Sequence, residues 1–183
     1  MRVGEQIAEA IRVHERVSKQ DAQQRAVALL DRVGVRDAAA SARCYPHEFS
    51  GGMRQRAMIA MAISCSPDIL LADEPTTALD VTTQAKILDL LNELSLERGM
   101  AVLFVTHNLA VANSFCDRID VMLRGQIVES GPTADVLGHP THAYTRALRD
   151  SLCTFDTDPA ERLYETASTG AWGSTTTTEG APA

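Results

Sequence analysis

Apolar residues in the first third of the chain recur every three to four positions, whereas from about residue 69 they gather in short unbroken runs. Between residues 4 and 17 the stripe falls on Ile7, Ala10, Ile11 and Val13 or His14, the period of an amphipathic helix. Ser18 is placed to cap a second helix, with Asp21 in its first turn and apolar positions at Ala26, Leu29, Leu30 and Val33 ahead of a stop at Gly34. Pro46 pushes its predecessor out of helical backbone, so Tyr45-Pro46-His47-Glu48 reads as a loop, and Ser50-Gly51-Gly52 opens a third helix that runs until Pro67.

From there the period changes. Ile69-Leu70-Leu71-Ala72 and Ala101-Val102-Leu103-Phe104-Val105 predict strands buried on both faces of a parallel sheet. Between them Ile87, Leu88, Leu91 and Leu94 mark one face of a helix over about residues 82–98, stopped at Gly99, which completes a β-α-β unit. A third apolar strand over 119–123 meets a tight turn at Arg124-Gly125-Gln126 and returns through Ile127-Val128 as a small hairpin. Pro132 marks a helix start, and a further helix follows over about 142–152. No internal repeat is visible. After Cys153 the chain turns polar, and its last 25 to 30 residues or so carry too few apolar side chains to bury, which predicts disorder.

Composition narrows the class. With 183 residues, 45% hydrophobic and 22% charged, the chain suits one domain plus a tail. A net charge of −7 offers no basic footprint for nucleic acid. No uncharged apolar run is long enough to span a bilayer, and residues 1–6 contain no secretory apolar segment, so a reducing cytoplasm is the default. Cys44, Cys65, Cys116 and Cys153 then read as thiols, and without a C-x-x-C pair they give no support to a metal-thiolate site.

Four short segments carry candidate chemistry. Asp73 and Glu74 end an apolar strand, where ligands of open α/β sheets bind; Asp73 is placed to serve Mg²⁺ and Glu74 to orient and deprotonate a water, although a plain polar loop has the same composition. Ser50, Gly51 and Gly52 precede a helix whose first turn offers unpaired N–H groups to an anion, and the same residues also make an ordinary N-cap. His107 follows the next strand, and Asp80, after Pro75-Thr76-Thr77-Ala78-Leu79, is either a third functional carboxylate or the cap of the following helix.

In this order and spacing, Ser50-Gly51-Gly52, then Leu70-Leu71-Ala72-Asp73-Glu74-Pro75, then Ala78-Leu79-Asp80, then Thr106-His107 resemble the signature motif, Walker B, D-loop and H-loop of ATP-binding cassette (ABC) ATPases. The resemblance covers about residues 1–152. It implies an α/β fold, the P-loop NTPase (ABC ATPase) core without its N-terminal part, with a helical signature subdomain. The implied domains are a helical subdomain over 1–66, the C-terminal half of the RecA-like core over 67–131, a C-terminal helical segment over 132–152 and a disordered tail over 153–183. By the same resemblance Ser50, Gly51 and Gly52, together with Met53, meet the γ-phosphate of ATP held by the opposite subunit of a dimer. Asp73 serves Mg²⁺, Glu74 is the general base, His107 contacts the γ-phosphate, and Asp80 reaches across the dimer interface.

The wording resembles that of the dipeptide, oligopeptide and nickel importers. Met53 stands where most cassette ATPases have Gln, and 139–148 is similar to the His-Pro-Tyr segment that ends the cassette in that group, with Ala143 in place of its usual Pro. The resemblance therefore implies ATP and Mg²⁺ as cofactors, a second ATPase subunit and transmembrane permease subunits as partners, and a place on the cytoplasmic face of the membrane. The chain holds no G-x-x-x-x-G-K-S/T segment, since Lys19 and Lys86 are its lysines and neither sits in one. The family's Q-loop glutamine and adenine-stacking aromatic residue also lie upstream of the matched part. Its strand leading into the phosphate loop lies between those of Phe104 and Met122, so without it apolar faces and strand edges stand open to water. Three functions fit: a truncated energy-coupling ATPase subunit of a peptide or nickel importer, a non-catalytic partner donating Ser50-Gly51-Gly52 in trans, or an inactive remnant. Cassette ATPases of DNA or ribosomes fit the Met53 wording less well.

Overall fold

Ser18 accepts a hydrogen bond from the Asp21 N–H at 3.1 Å and so starts the second helix where the sequence places it. The computed structural model describes residues 1–77 and 79–151. Ala78, Leu152 and the tail predicted to be disordered, 153–183, lie outside the described residues. The chain divides into two units, residues 1–117 and the residues from 118 onward.

The first unit begins with α1 (Val3–His14), α2 (Lys19–Arg32) and α3 (Ala38–Ser41). The predicted loop at Tyr45 tightens into a single 3-10 turn over Pro46–Glu48, with Pro46 supplying the fixed backbone angle of its first position. Next come α4 (Gly51–Ala62), β1 (Ile69–Asp73), α5 (Val81–Arg98), β2 (Ala101–Val105) and α6 (Leu109–Phe115). α4 stops short of Pro67, in a turn where Ser66 takes a left-handed backbone. Ile7 and Ile11 of α1, Ala26 and Leu30 of α2, Ala60 and Ile63 near the end of α4, and Ile87, Leu91 and Leu94 of α5 form one fully buried cluster, joined by Leu70 of β1. The helical periods of the sequence thus converge on a single core.

β1 and β2 pair in parallel, from Ile69 opposite Ala101 to Asp73 opposite Val105, and α5 is the crossover. Burial on both faces does not hold for them. Leu70 and Ala72 are buried, but Ile69 and Leu71 are 63% and 73% exposed, and Leu103 and Val105 across the ladder are 58% and 51% exposed. The continuous apolar run is right for a two-sided strand, but among the described residues only one side has a covering layer.

In the second unit β3 (Arg118–Leu123) and β4 (Gln126–Pro132) form the expected hairpin. Its two-residue turn needs positive φ at both positions, which Arg124 (51°) and Gly125 (80°) supply. A register shift beside Val121 and Met122 bends the pair, and α7 (Thr133–Gly138) and α8 (Ala143–Asp150) follow. Glu129 ties β4 to the start of α8. The Thr145 hydroxyl, fully buried, stands beside its carboxylate without completing a well-formed hydrogen bond, while Thr141 donates its N–H at 2.7 Å and its hydroxyl at 2.9 Å, and His142 its N–H at 3.2 Å. Thr145 first, then these donors, hold the Glu129 carboxyl down at about 2, from an ordinary value of 4.5.

Two expectations follow. Ile11→Ala, at a fully buried site, lowers unfolding stability by about 2–5 kcal/mol in urea denaturation, whereas Leu71→Ala, on the open face, costs less than about 0.5 kcal/mol. A carboxyl lowered by folding contributes fully above its unfolded value and loses that contribution as pH falls through its folded value. The Glu129 contribution is therefore complete above pH 4.5 and fades toward pH 2, so a carbon-13 titration finds its midpoint near 2 and Glu129→Gln removes that acid dependence from the melting curve.

Candidate functional site

The register of β1 against β2 decides what meets at the end of the sheet. After Asp73 the ladder takes one more step, the N–H of Glu74 donating to the Val105 carbonyl at 2.9 Å. The chain then turns at once, because Glu74 sits in a left-handed backbone (φ 44°), an uncommon conformation for a residue with a side chain. That turn brings its Oε1 to 2.7 Å from Nδ1 of His107, two residues beyond the end of β2, and lets the Thr77 hydroxyl donate to Oε2 at 2.9 Å. His107, with Thr77 second, holds the Glu74 carboxyl below the usual carboxylate range. The carboxylate is thus the acceptor and the Nδ1–H the donor. Both residues are solvent-exposed.

Asp73 is exposed beside this pair in sequence, and its carboxylate has no side-chain partner among the described residues. One or two carboxylates completed by phosphate oxygens and water make the usual Mg²⁺ environment, and a free strand-end Asp fits that donor set. The described residues contain no cluster of three or more His, Cys, Asp or Glu side chains that would cage a metal by themselves.

Ser50 caps α4, its hydroxyl accepting from the Met53 N–H at 3.3 Å. Ser50 and Gly51 are exposed, Gly52 and Met53 half-buried, so the first turn of a twelve-residue helix opens to solvent with its leading N–H groups outside the helical ladder. Asp80 caps α5, taking the Thr83 N–H on Oδ1 at 2.9 Å and the Thr83 hydroxyl on Oδ2 at 2.7 Å, and these two bonds lower its carboxyl. The structure brings Glu74 and His107 into contact. Among the described residues no hydrogen bond or ion pair joins either of them to Ser50, Gly51, Gly52, Met53, Asp73 or Asp80.

Two participants escaped the sequence reading. Thr77 was seen only as part of a motif, and its place three residues after Glu74 is the spacing of a hydroxyl that closes a turn. Asn108, directly after His107, accepts from the N–H groups of Ala110 and Val111 at 3.0 and 3.3 Å and so starts α6, a helix its side-chain type could have signalled. An open cavity of about 310 Å³ lies between α2 and the ends of α4 and α5 and holds none of the candidate residues. Its arginines are committed: Arg25 to Glu15 and the Ser64 carbonyl, Arg32 to Glu97, and Arg98 to the Ile63 carbonyl.

Residues 2–77 match the family described as ABC transporter. A peptide import ATP-binding protein of Brucella melitensis is 57% identical over 150 residues, which are 82% of this chain and 44% of that protein. The likeness is to the ATP-binding cassette family. The oligopeptide transport ATP-binding protein OppD of Salmonella typhimurium is 48% identical over 89% of this chain and 49% of its own length. Among solved structures, the dimeric ATP-binding cassette MJ0796 in its post-hydrolysis state with ADP and Pi aligns with a TM-score of 0.65 and 32% identity, over 73% of this chain and 57% of that one. The fold is therefore that of part of the ABC ATPase core, a fragment of the P-loop NTPase class, and the chain spans about half the length of the curated relatives it matches. No helix among its described residues is long and apolar enough to cross a membrane.

The Glu74–His107 contact makes a direct prediction. In a carboxyl titration by NMR, His107→Ala raises the Glu74 midpoint toward the ordinary 4.5 and Thr77→Val raises it by less. An unchanged midpoint in both variants contradicts the contact.

Proposed function

We propose that this chain supplies the signature, Walker B, D-loop and H-loop parts of an ATPase that energises import of peptides, or of nickel, working with a second ATPase subunit and with permease subunits at the cytoplasmic face of the membrane. The observation that carries the reading is the Glu74–His107 pair at the end of β1 and β2, in a chain whose Ser50 turn opens to solvent. The relatives named for peptide and oligopeptide import support the substrate class.

In this reading Asp73 would hold Mg²⁺, and the metal bound to ATP supplies charge neutralisation at the terminal phosphates. Glu74, ionised and steadied by His107 and Thr77, accepts the proton of the attacking water. The side of the His107 ring away from Nδ1 is left for the γ-phosphate. Ser50, Gly51 and the N–H groups of the first α4 turn, with Gly52 and Met53, face the terminal phosphate of ATP bound by the opposite subunit, where the positive end of the helix favours an anion. Asp80 stands at the same interface.

A second reading has its own observation. The chain contains no G-x-x-x-x-G-K-S/T segment to wrap the β- and γ-phosphates, while the exposed Ser50 turn needs only a nucleotide held by another protein. On that reading this chain is a non-catalytic donor of the signature turn.

An ATPase assay separates them. We expect no turnover by the chain alone, and hydrolysis above background when it is mixed with an intact peptide-import ATPase subunit whose own signature Ser is replaced by Arg. Ser50→Arg in this chain abolishes that gain. Turnover by the chain alone excludes the donor reading, and no gain in any mixture contradicts both.

A further inference from the structure

Gly52 lies inside the helical run of α4 and has no positive φ, so backbone freedom does not explain a glycine there. Space does. A Cβ built on Gly52 would stand 2.8 Å from Cγ2 of Thr83, with no other atom outside its immediate surroundings within 4 Å. Real carbon contacts are not that short, so one of the two groups would have to move.

Thr83 is poorly able to move. It is β-branched and in the first turn of α5, where its side-chain torsion is already restricted. Its hydroxyl donates to Oδ2 of Asp80 at 2.7 Å while its own N–H donates to Oδ1 at 2.9 Å. Swinging the methyl away from residue 52 swings the hydroxyl off the Asp80 carboxylate.

We propose that Thr83 is a positioning residue that locks the first turn of α4 to Asp80, its methyl filling the space beside Gly52 while its hydroxyl fixes the carboxylate. The inference rests on the reading of Ser50-Gly51-Gly52 and Asp80 as interface residues, and goes beyond it: the bareness of Gly52 serves packing within this chain, whatever it leaves open to a nucleotide. The signature turn and the D-loop carboxylate then shift together or not at all. A change at either element reaches the other through one side chain, with no ligand needed.

The test is a set of full-length variants in two readouts. Without nucleotide, Thr83→Val keeps a branched side chain and removes the hydroxyl, and in a carboxyl titration by NMR it raises the Asp80 midpoint toward the ordinary 3.8. Gly52→Ala raises the same midpoint from a distance, and adding Thr83→Ser, which keeps the hydroxyl but removes the methyl, returns it to the value of Thr83→Ser alone. In the mixed ATPase assay Gly52→Ala lowers stimulated hydrolysis on the order of a hundredfold, the loss that a displacement of about 1 Å produces, and Thr83→Ser recovers it.

An Asp80 midpoint unmoved by Gly52→Ala, or equal losses in Gly52→Ala with and without Thr83→Ser, overturns the lock. If Gly52→Ala fails to fold, the Thr83→Val arm decides, an unmoved Asp80 midpoint overturning the lock. If the unsubstituted chain gives no stimulation but Thr83→Ser still corrects the Asp80 midpoint of Gly52→Ala, the lock stands and the transport reading falls.

Discussion

The parallel ladder between β1 and β2 sets the meeting of Glu74 and His107. It runs from the Ala101 N–H on the Asp68 carbonyl to the Glu74 N–H on the Val105 carbonyl, each at 2.9 Å. Because the second bond extends the ladder past Asp73, the left-handed turn at Glu74 happens beside β2, and His107 is two residues from its partner strand's last pair. A slip of one residue would turn Leu70 and Ala72 out of the core and carry Glu74 away from the imidazole. Register is strongly specified only from below, by the α1, α2, α4 and α5 core that takes Leu70.

That core was legible from the sequence because its signals are periodic and local. Ile7 and Ile11, or Ile87, Leu91 and Leu94, announce a buried helical face from spacing alone, and Ser18 and Gly99 bracket helices by short-range chemistry. The four motif segments were legible too, since each sits at an element boundary: Ser50 and Asp80 prove to be the N-caps of α4 and α5, the plainer of the two readings each allowed. Capping and function are compatible here, because a capping carboxylate or hydroxyl leaves the neighbouring amides facing outward.

What the sequence could not reveal is long-range. An unbroken apolar run says that both faces of a strand suit burial, but not that both are buried. Ile69, Leu71, Leu103 and Val105 carry the composition of a two-sided strand and stand on an open face. The chain spans about half the length of the relatives it matches. The contact between Gly52 and Thr83 is likewise invisible in one dimension, since nothing in the spacing of Ser50 and Asp80 says that their helices touch. Thr77 and Asn108 were missed for a simpler reason, as ordinary polar residues whose roles appear only once the Glu74 and His107 turns are known.

Residue-by-residue amide exchange in the full chain tests the ladder most directly. The Glu74 amide, donating to Val105, is expected to exchange as slowly as the Ala101 amide, which donates to Asp68 at the opposite end. A Glu74 amide that exchanges at the rate of an unstructured peptide while Ala101 stays protected would show that the ladder stops short, and that nothing holds the carboxylate against His107.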